Sequence, residues 1–127
     1  MGSDRATGYD SFKTILVVDI TGQFAVAGDD GQRLYDRMYE ILGTAQNVQV
    51  DFYGVRVIAT PFFNAAVGRL LKDVSPDELR NRISFKNLSL AAERTLAKVI
   101  ENAKQYYHDP EARAALDKIL IEHGDES

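Results

Sequence analysis

Side chains capable of acid–base or metal chemistry are few in this sequence and widely spaced. The acids near the ends of predicted strands are Asp19, Asp51 and the pair at 29–30, and the two histidines, His108 and His123, fall at a helix end and in the tail. Folding could bring two carboxylates together to bind a divalent cation, but no spacing specifies such a site. The Walker A, GxGxxG, HExxH and GxSxG motifs are absent. We therefore expect no catalytic residue, no metal ligand and no cofactor, and we expect Asp51 to bond loop amides.

A set of side chains suited to binding lies on the helix that the sequence predicts over 61–71. Phe62 and Arg69 are seven residues apart, so they point the same way, on the side opposite the apolar stripe. An aromatic residue beside a basic one is typical of interface anchors. We predict a partner-binding surface formed by Thr60, Phe62, Asn64 and Arg69. The alternative is that the N-terminal tail or the last helix covers Phe62.

A strand and a turn must precede that helix and position it. The segment 48–52 alternates apolar and polar residues, which predicts a strand with one buried face. Thr60 is a good N-cap, because its hydroxyl can accept a hydrogen bond from an amide of the first turn, and Pro61 suits the first helical position. The core-facing stripe of the helix is predicted to comprise Phe63, Ala66, Val67 and Leu70. We expect this stripe to be buried against Val50.

The rest of the chain also alternates between strands and helices. The remaining predicted elements are strands at 14–20, 24–27 and 83–85 and helices at 31–42, from 75, from 87 or 89, and from 109. The first two strands are expected to form a hairpin through the turn at Thr21-Gly22, and Ser75 begins a capping box. This order predicts an α/β fold with a four-stranded mixed sheet, helices packed mainly on one face, and an extra C-terminal helix.

Between Thr14 and Tyr106 the chain contains short motifs in the order and spacing of a known family. The motif comprises Asp51-Phe52, Gly54-Val55, Val57-Ile58, the small-residue loop 59–61 and Phe63. The segment 83–89 is similar to the family's last strand and the start of its final helix. In these motifs the sequence resembles the STAS-like domains of unknown function, relatives of the bacterial anti-sigma-factor antagonists. The resemblance implies a STAS-like α/β domain that acts by protein–protein interaction, with a partner such as a GHKL-type ATPase or another signalling protein.

The serine that is phosphorylated in the antagonists has no counterpart here. Their helix opens with an Asp-Ser-Ser-Gly-like sequence and the second Ser is modified, whereas the corresponding position here is Pro61 and Ala59 replaces the Asp. Thr60 is the nearest hydroxyl, and we predict a cap rather than a regulatory phosphosite. The predicted function is a non-catalytic STAS-like regulatory domain in bacterial signalling, without the phosphorylatable Ser. The alternative is a domain that binds a small ligand, an anion or a nucleotide through the loop 59–62 and the helix N-terminus.

Length and composition limit the number of domains and the classes of partner that we expect. The 127 residues suit one domain, with 1–12 assigned to a flexible tail, 13–107 to the STAS-like domain and 108–127 to a C-terminal helix and tail. A net charge of −4 with scattered Lys and Arg argues against nucleic acid, and no apolar run is long enough to cross a membrane. The lack of cysteines and an N-terminus unlike a signal peptide lead us to expect a cytoplasmic protein, as a monomer or weak homodimer.

The last predicted helix has an apolar face of its own. That face is formed by Ala112, Ala115, Leu116, Ile119 and Leu120. We expect it to fold back onto the domain, and pairing with a second copy of the chain is the alternative.

Overall fold

The structure is a computed structural model, and it describes residues 12–108. The strands in this range are β1 (Phe12–Leu16), β2 (Phe24–Ala25), β3 (Asn47–Asp51), β4 (Val57–Ile58) and β5 (Ile83–Lys86). The helices are α1 (Val18–Thr21), α2 (Gly28–Leu42), α3 (Thr60–Ala66), a 3₁₀ helix (Gly68–Lys72), α4 (Pro76–Arg82) and α5 (Leu90–His108). The predicted C-terminal helix from position 109 lies outside the described residues.

The strands form two parallel sheets. The larger has the order β1-β3-β5, and its register places Ile15, Val50 and Phe85 side by side. The smaller pairs β2 with β4, with Phe24 opposite Val57. The predicted four-stranded mixed sheet is therefore not found among the described strands, which divide into sheets of three and two.

The predicted hairpin of the first two strands is wrong, because the chain turns into a helix after β1. The amides of Ile20 and Thr21 donate to the carbonyl of Val17 over 2.8 and 2.9 Å, and this closes the short helix α1. The strand predicted over 14–20 consequently ends at Leu16. The helix separates β2 from β1, and β2 pairs with β4 instead.

One face of the larger sheet carries the core. Ile15, Val48, Val50 and Ile83 point to this face and are buried, whereas Thr14 on the other face is exposed. The predicted burial of Val50 together with Phe63 and Val67 is confirmed, since all three belong to a single apolar cluster. Parallel strands connected by helices bury apolar side chains against those helices, and the same apolar cluster includes Leu34, Phe63 and Val99 from three helices.

Local signals in the sequence explain where the helices begin and end. Asp29 and Asp30 lie in the first turn of α2, where their carboxylates interact favourably with the positive end of the helix dipole. Gly43 is the C-cap of the same helix. The buried side of α2 is formed by Leu34, Met38 and Ile41. The Ser75 half of the predicted capping box is confirmed, because the hydroxyl of Ser75 accepts a hydrogen bond of 3.1 Å from the amide of Glu78.

Candidate functional site

The start of α3 differs from the predicted cap. The N-cap residue is Ala59 rather than Thr60, and its side chain makes no capping bond. The backbone carbonyl of Ala59 accepts hydrogen bonds from the amides of Phe62 and Phe63, at 3.1 and 3.3 Å. Thr60 is the first residue of the helix and is exposed. The prediction that the Thr60 hydroxyl caps the helix is therefore wrong, because main-chain bonds already serve those two amides.

Phe62 is not a surface residue, and the predicted exposed anchor is wrong at this position. Its side chain is 0% exposed, like that of Phe63. The rings of Phe52, Phe62 and Phe63 contact each other edge to face, with centroids 5.9 to 6.4 Å apart. α3 has two buried sides because α2 packs against the side that carries Phe62, with Gly31 at the point of closest approach.

Two of the four predicted contact residues come together at a groove. Asn64 and Arg69 are exposed, and they line a cavity of about 530 Å³ together with Pro61. α5 forms the opposite wall, where Asn102, Tyr106 and Tyr107 line the cavity, and Ala65, Gly68, Val99 and Ala103 complete the lining. We call this cavity the α3–α5 groove. Of the four predicted residues, Phe62 is buried and Thr60 does not line the groove.

Residues of α2 hold Arg69 at the rim of the α3–α5 groove. The guanidinium carbon of Arg69 lies 5.8 Å from the centre of the Tyr35 ring, within the range of a cation–π contact. The same guanidinium donates a hydrogen bond to the Gln32 side-chain carbonyl. Burial is the first cause that raises the pKa of Tyr35, followed by the nearby Asp73 carboxylate. The positive charge of Arg69 is therefore held in place beside the neutral phenol ring of Tyr35.

Two tyrosines provide the aromatic surface of the α3–α5 groove. Tyr106 and Tyr107 are half-buried, and their rings meet edge to face with centroids 4.9 Å apart and planes at 89°. Tyrosine and arginine are enriched at the centres of protein interfaces. The sequence alone did not single out Gln32, Tyr35 or the tyrosine pair, because no local pattern shows which residues of distant helices will share a groove.

A second cavity of about 570 Å³ lies between β4 and the first two turns of α5. Its polar lining includes Arg56, Asn87, Ser89 and Thr95, and residues 55–58 rather than 59–62 form its other wall. We call it the β4–α5 cleft. It lies beside β4 and at the carboxyl end of β5, since Arg56 directly precedes β4 and Asn87 directly follows β5.

Asp51 has the structural role that the sequence predicts. Its carboxylate accepts hydrogen bonds from the Asn87 side chain at 2.7 Å and from the amide of Tyr53 at 2.9 Å. The Asn87 bond, then the Tyr53 bond, lowers the pKa of Asp51 below its ordinary value. The carboxylate thus connects the end of β3 to the loop after β5. Such hydrogen bonding agrees with the expectation that Asp51 bonds loop amides.

Within residues 12–108, no three His, Asp or Glu side chains lie close enough together to hold a metal ion. In the same range, no helix is both long enough and apolar enough to span a membrane.

Comparison with known proteins gives a family match. The sequence profile described as "STAS-like domain of unknown function (DUF4325)" matches residues 30–92, from the start of α2 into α5. No curated protein and no solved structure matches the chain significantly. The matched segment includes most of α2 and all of β3, α3 and β5, and most buried residues of the apolar core lie within it. Residues 30–92 of this chain therefore match the family of STAS-like domains of unknown function.

Proposed function

We propose that this STAS-like domain is a non-catalytic regulatory module that binds another protein through the α3–α5 groove. The observation that carries the proposal is that Asn64 and Arg69, selected from sequence, line the same cavity as Tyr106 and Tyr107. The groove thereby combines a fixed cation, amides and aromatic rings. A protein segment offers carboxylates, peptide groups and apolar side chains that complement such a mixture.

The position of Arg69 supports the choice of this groove over other surfaces. Its contacts with Tyr35 and Gln32 restrict the side chain before a partner arrives, which lowers the entropy lost on binding. The cation remains exposed and available to an acidic group. The partner class implied by the family resemblance, a GHKL-type ATPase or another bacterial signalling protein, belongs to this proposal.

The experiment begins with capture of partners from a lysate of cells that naturally produce the protein, and continues with dissociation constants for each purified partner. We expect Tyr107→Ala to weaken binding by about 2 kcal/mol, as a central aromatic anchor does. Arg69→Glu should mainly slow association and reduce its salt dependence. Arg80→Glu is the matched charge reversal, because Arg80 is exposed on α4 and does not line the groove.

Melting temperatures of the same variants separate binding from folding. Wild-type affinity in both groove variants would contradict the proposal and place the interface elsewhere. An equal loss of affinity in Arg80→Glu would show that reversal of any exposed positive charge weakens binding.

We also propose that Thr60 is not a regulatory phosphosite. The residue is exposed but has a proline after it in place of the modified serine of the antagonists. Intact-mass and peptide mass spectrometry of protein isolated from its native cells tests this statement. Stoichiometric phosphate on Thr60 that changes partner affinity would overturn it.

A second candidate function is binding of an anionic small molecule, such as a nucleotide, in the β4–α5 cleft. The specific observation is the presence of Arg56 and three neutral polar side chains around a cavity of about 570 Å³. The sequence predicts this alternative at the loop 59–62 and the helix N-terminus, whereas residues 55–58 form the wall of the cleft. ATP and inorganic phosphate should then raise the melting temperature with their concentration, and Arg56→Ala should remove the effect. Absence of any shift with either compound rejects this candidate.

A further inference from the structure

β1 lies at the edge of the larger sheet, and on its second side it faces no strand of residues 12–108. In the order β1-β3-β5, β1 pairs with β3 and with no other described strand. An edge strand presents unpaired N–H and C=O groups that can accept another strand. β1 is five residues long, which is enough for a continuous hydrogen-bonded ladder.

The hydrogen bonding of β1 to β3 identifies which residues face the open side. The amide of Val17, directly after β1, donates to the carbonyl of Asp51 over 3.0 Å. Backbone groups of successive residues point to alternate sides of a strand, so Lys13 and Ile15 also face β3. The N–H and C=O groups of Phe12, Thr14 and Leu16 therefore point away from the sheet.

The same three residues carry the exposed side chains of one sheet face. Phe12 is 45% exposed and Leu16 is 44% exposed, and both belong to the large apolar side chains that remain in contact with solvent. Thr14 lies midway between them and is also exposed. The open edge thus has the symmetric pattern apolar, neutral polar, apolar.

We propose that a second copy of this chain docks on β1, antiparallel and related by a two-fold axis through Thr14. In this register Thr14 pairs with the partner's Thr14, and Phe12 pairs with the partner's Leu16. Each of these pairs exchanges two backbone hydrogen bonds, as in the hydrogen-bonded positions of an antiparallel ladder. The three-stranded sheets of the two copies become one six-stranded sheet.

The symmetry of the pattern favours a second copy over an unrelated strand. A two-fold interface uses one surface twice, so the surface has to be complementary to itself. Pairing about Thr14 brings the exposed Phe12 and Leu16 into cross-strand contact, a favourable apolar pair. A lysine on an edge strand usually opposes pairing, but here Lys13 lies opposite the partner's Ile15 and not opposite its own copy.

The first test is sedimentation equilibrium of the full chain over a concentration series. We expect a monomer–dimer equilibrium, and we expect Leu16→Glu to raise the dimer dissociation constant by about tenfold or more, because a buried cross-strand contact is replaced by a charge. Phe24→Glu is the matched control, since Phe24 is 56% exposed on the smaller sheet. A melting temperature of Leu16→Glu measured at low concentration verifies that the monomer folds.

The second test uses the absence of cysteine from the chain. Residues at a hydrogen-bonded antiparallel position have Cα atoms about 5.5 Å apart, within the range of a disulfide. Thr14→Cys should therefore form a covalent dimer under mild oxidation, and Phe24→Cys should not. Adding Leu16→Glu to the first variant should suppress the crosslink.

Two results would overturn the proposal. One is a wild-type protein that stays monomeric at the highest soluble concentration. The other is a dimer that persists in Leu16→Glu and gives no crosslink with Thr14→Cys, because such a dimer uses another surface.

Discussion

Gly31 of α2 lies directly against the carbonyl group of Phe62 on α3. A Cβ atom at position 31 would lie 2.4 Å from that oxygen and 2.8 Å from the Cβ of Ala65. Both distances are far below van der Waals contact, and the first involves a backbone atom that cannot rotate away. The close approach of the two helices therefore depends on glycine at this position. It also explains the burial of Phe62, since α2 occupies the side of α3 that would otherwise face solvent.

Gly31→Ala is expected to destabilise the domain by about 1–3 kcal/mol or more, because the added methyl group forces the two helices apart. Urea unfolding followed by far-ultraviolet circular dichroism measures the loss. Gly28→Ala is the matched control in the same helix, because nothing lies within 4 Å of a Cβ at that position. A Gly31→Ala variant as stable as wild type would mean that α2 and α3 pack less closely than described.

Phe62→Ala is expected to lower the free energy of unfolding by about 3–5 kcal/mol. The reason is the loss of a fully buried ring and of its edge contacts with Phe52 and Phe63. We expect a similar loss for Phe63→Ala. Thermal and urea unfolding measure both, and Phe24→Ala, at an exposed position, should change stability by only about 0.5 kcal/mol. If Phe62→Ala were as stable as wild type, Phe62 would be a surface residue and not part of the core.

Thr60→Ala is expected to leave stability nearly unchanged, whereas Ser75→Ala should cost about 1 kcal/mol. The two hydroxyls begin neighbouring helices, but only Ser75 accepts a bond from a first-turn amide, that of Glu78. Unfolding curves of the pair, recorded under identical conditions, test the difference. Equal losses in both variants would indicate that Thr60 does act as a cap.

The stability contributed by Asp51 is expected to depend on pH. Since hydrogen bonds hold its folded pKa below the ordinary value of 3.8, the contribution is fully present above that value and is lost as pH falls through the folded pKa. The difference in unfolding free energy between wild type and Asp51→Asn should therefore be constant near neutral pH and shrink in acid. Urea unfolding from neutral to acidic pH measures it.

A second variant tests the cause of this pH dependence. Asn87 has a positive φ of 62°, a backbone conformation that glycine adopts readily. Asn87→Gly therefore removes the side-chain amide donor without straining the backbone. We expect Asn87→Gly to reduce the acid-dependent part of the wild-type profile. An unchanged profile would show that the Asn87 bond does not hold the pKa of Asp51 down.

Only part of the candidate site was predictable. Asn64 and Arg69 belong to the predicted contact surface, and both line the α3–α5 groove. Phe62 is predicted for the same surface but is buried. A helical period identifies the most apolar side of a helix, but an aromatic residue at its border is compatible with either solvent or a second helix.

The sequence by itself determined the family, the main helices and the buried stripes, including Val50, Phe63 and Val67. These features are local, since they depend on the spacing of apolar residues and on capping signals such as Ser75 within a few residues of the chain. The tertiary structure decided the pairing of β2 with β4, the second buried side of α3 and the two walls of the α3–α5 groove. These features depend on which distant elements approach each other, and that choice is made by the packing of the whole core rather than by any one segment.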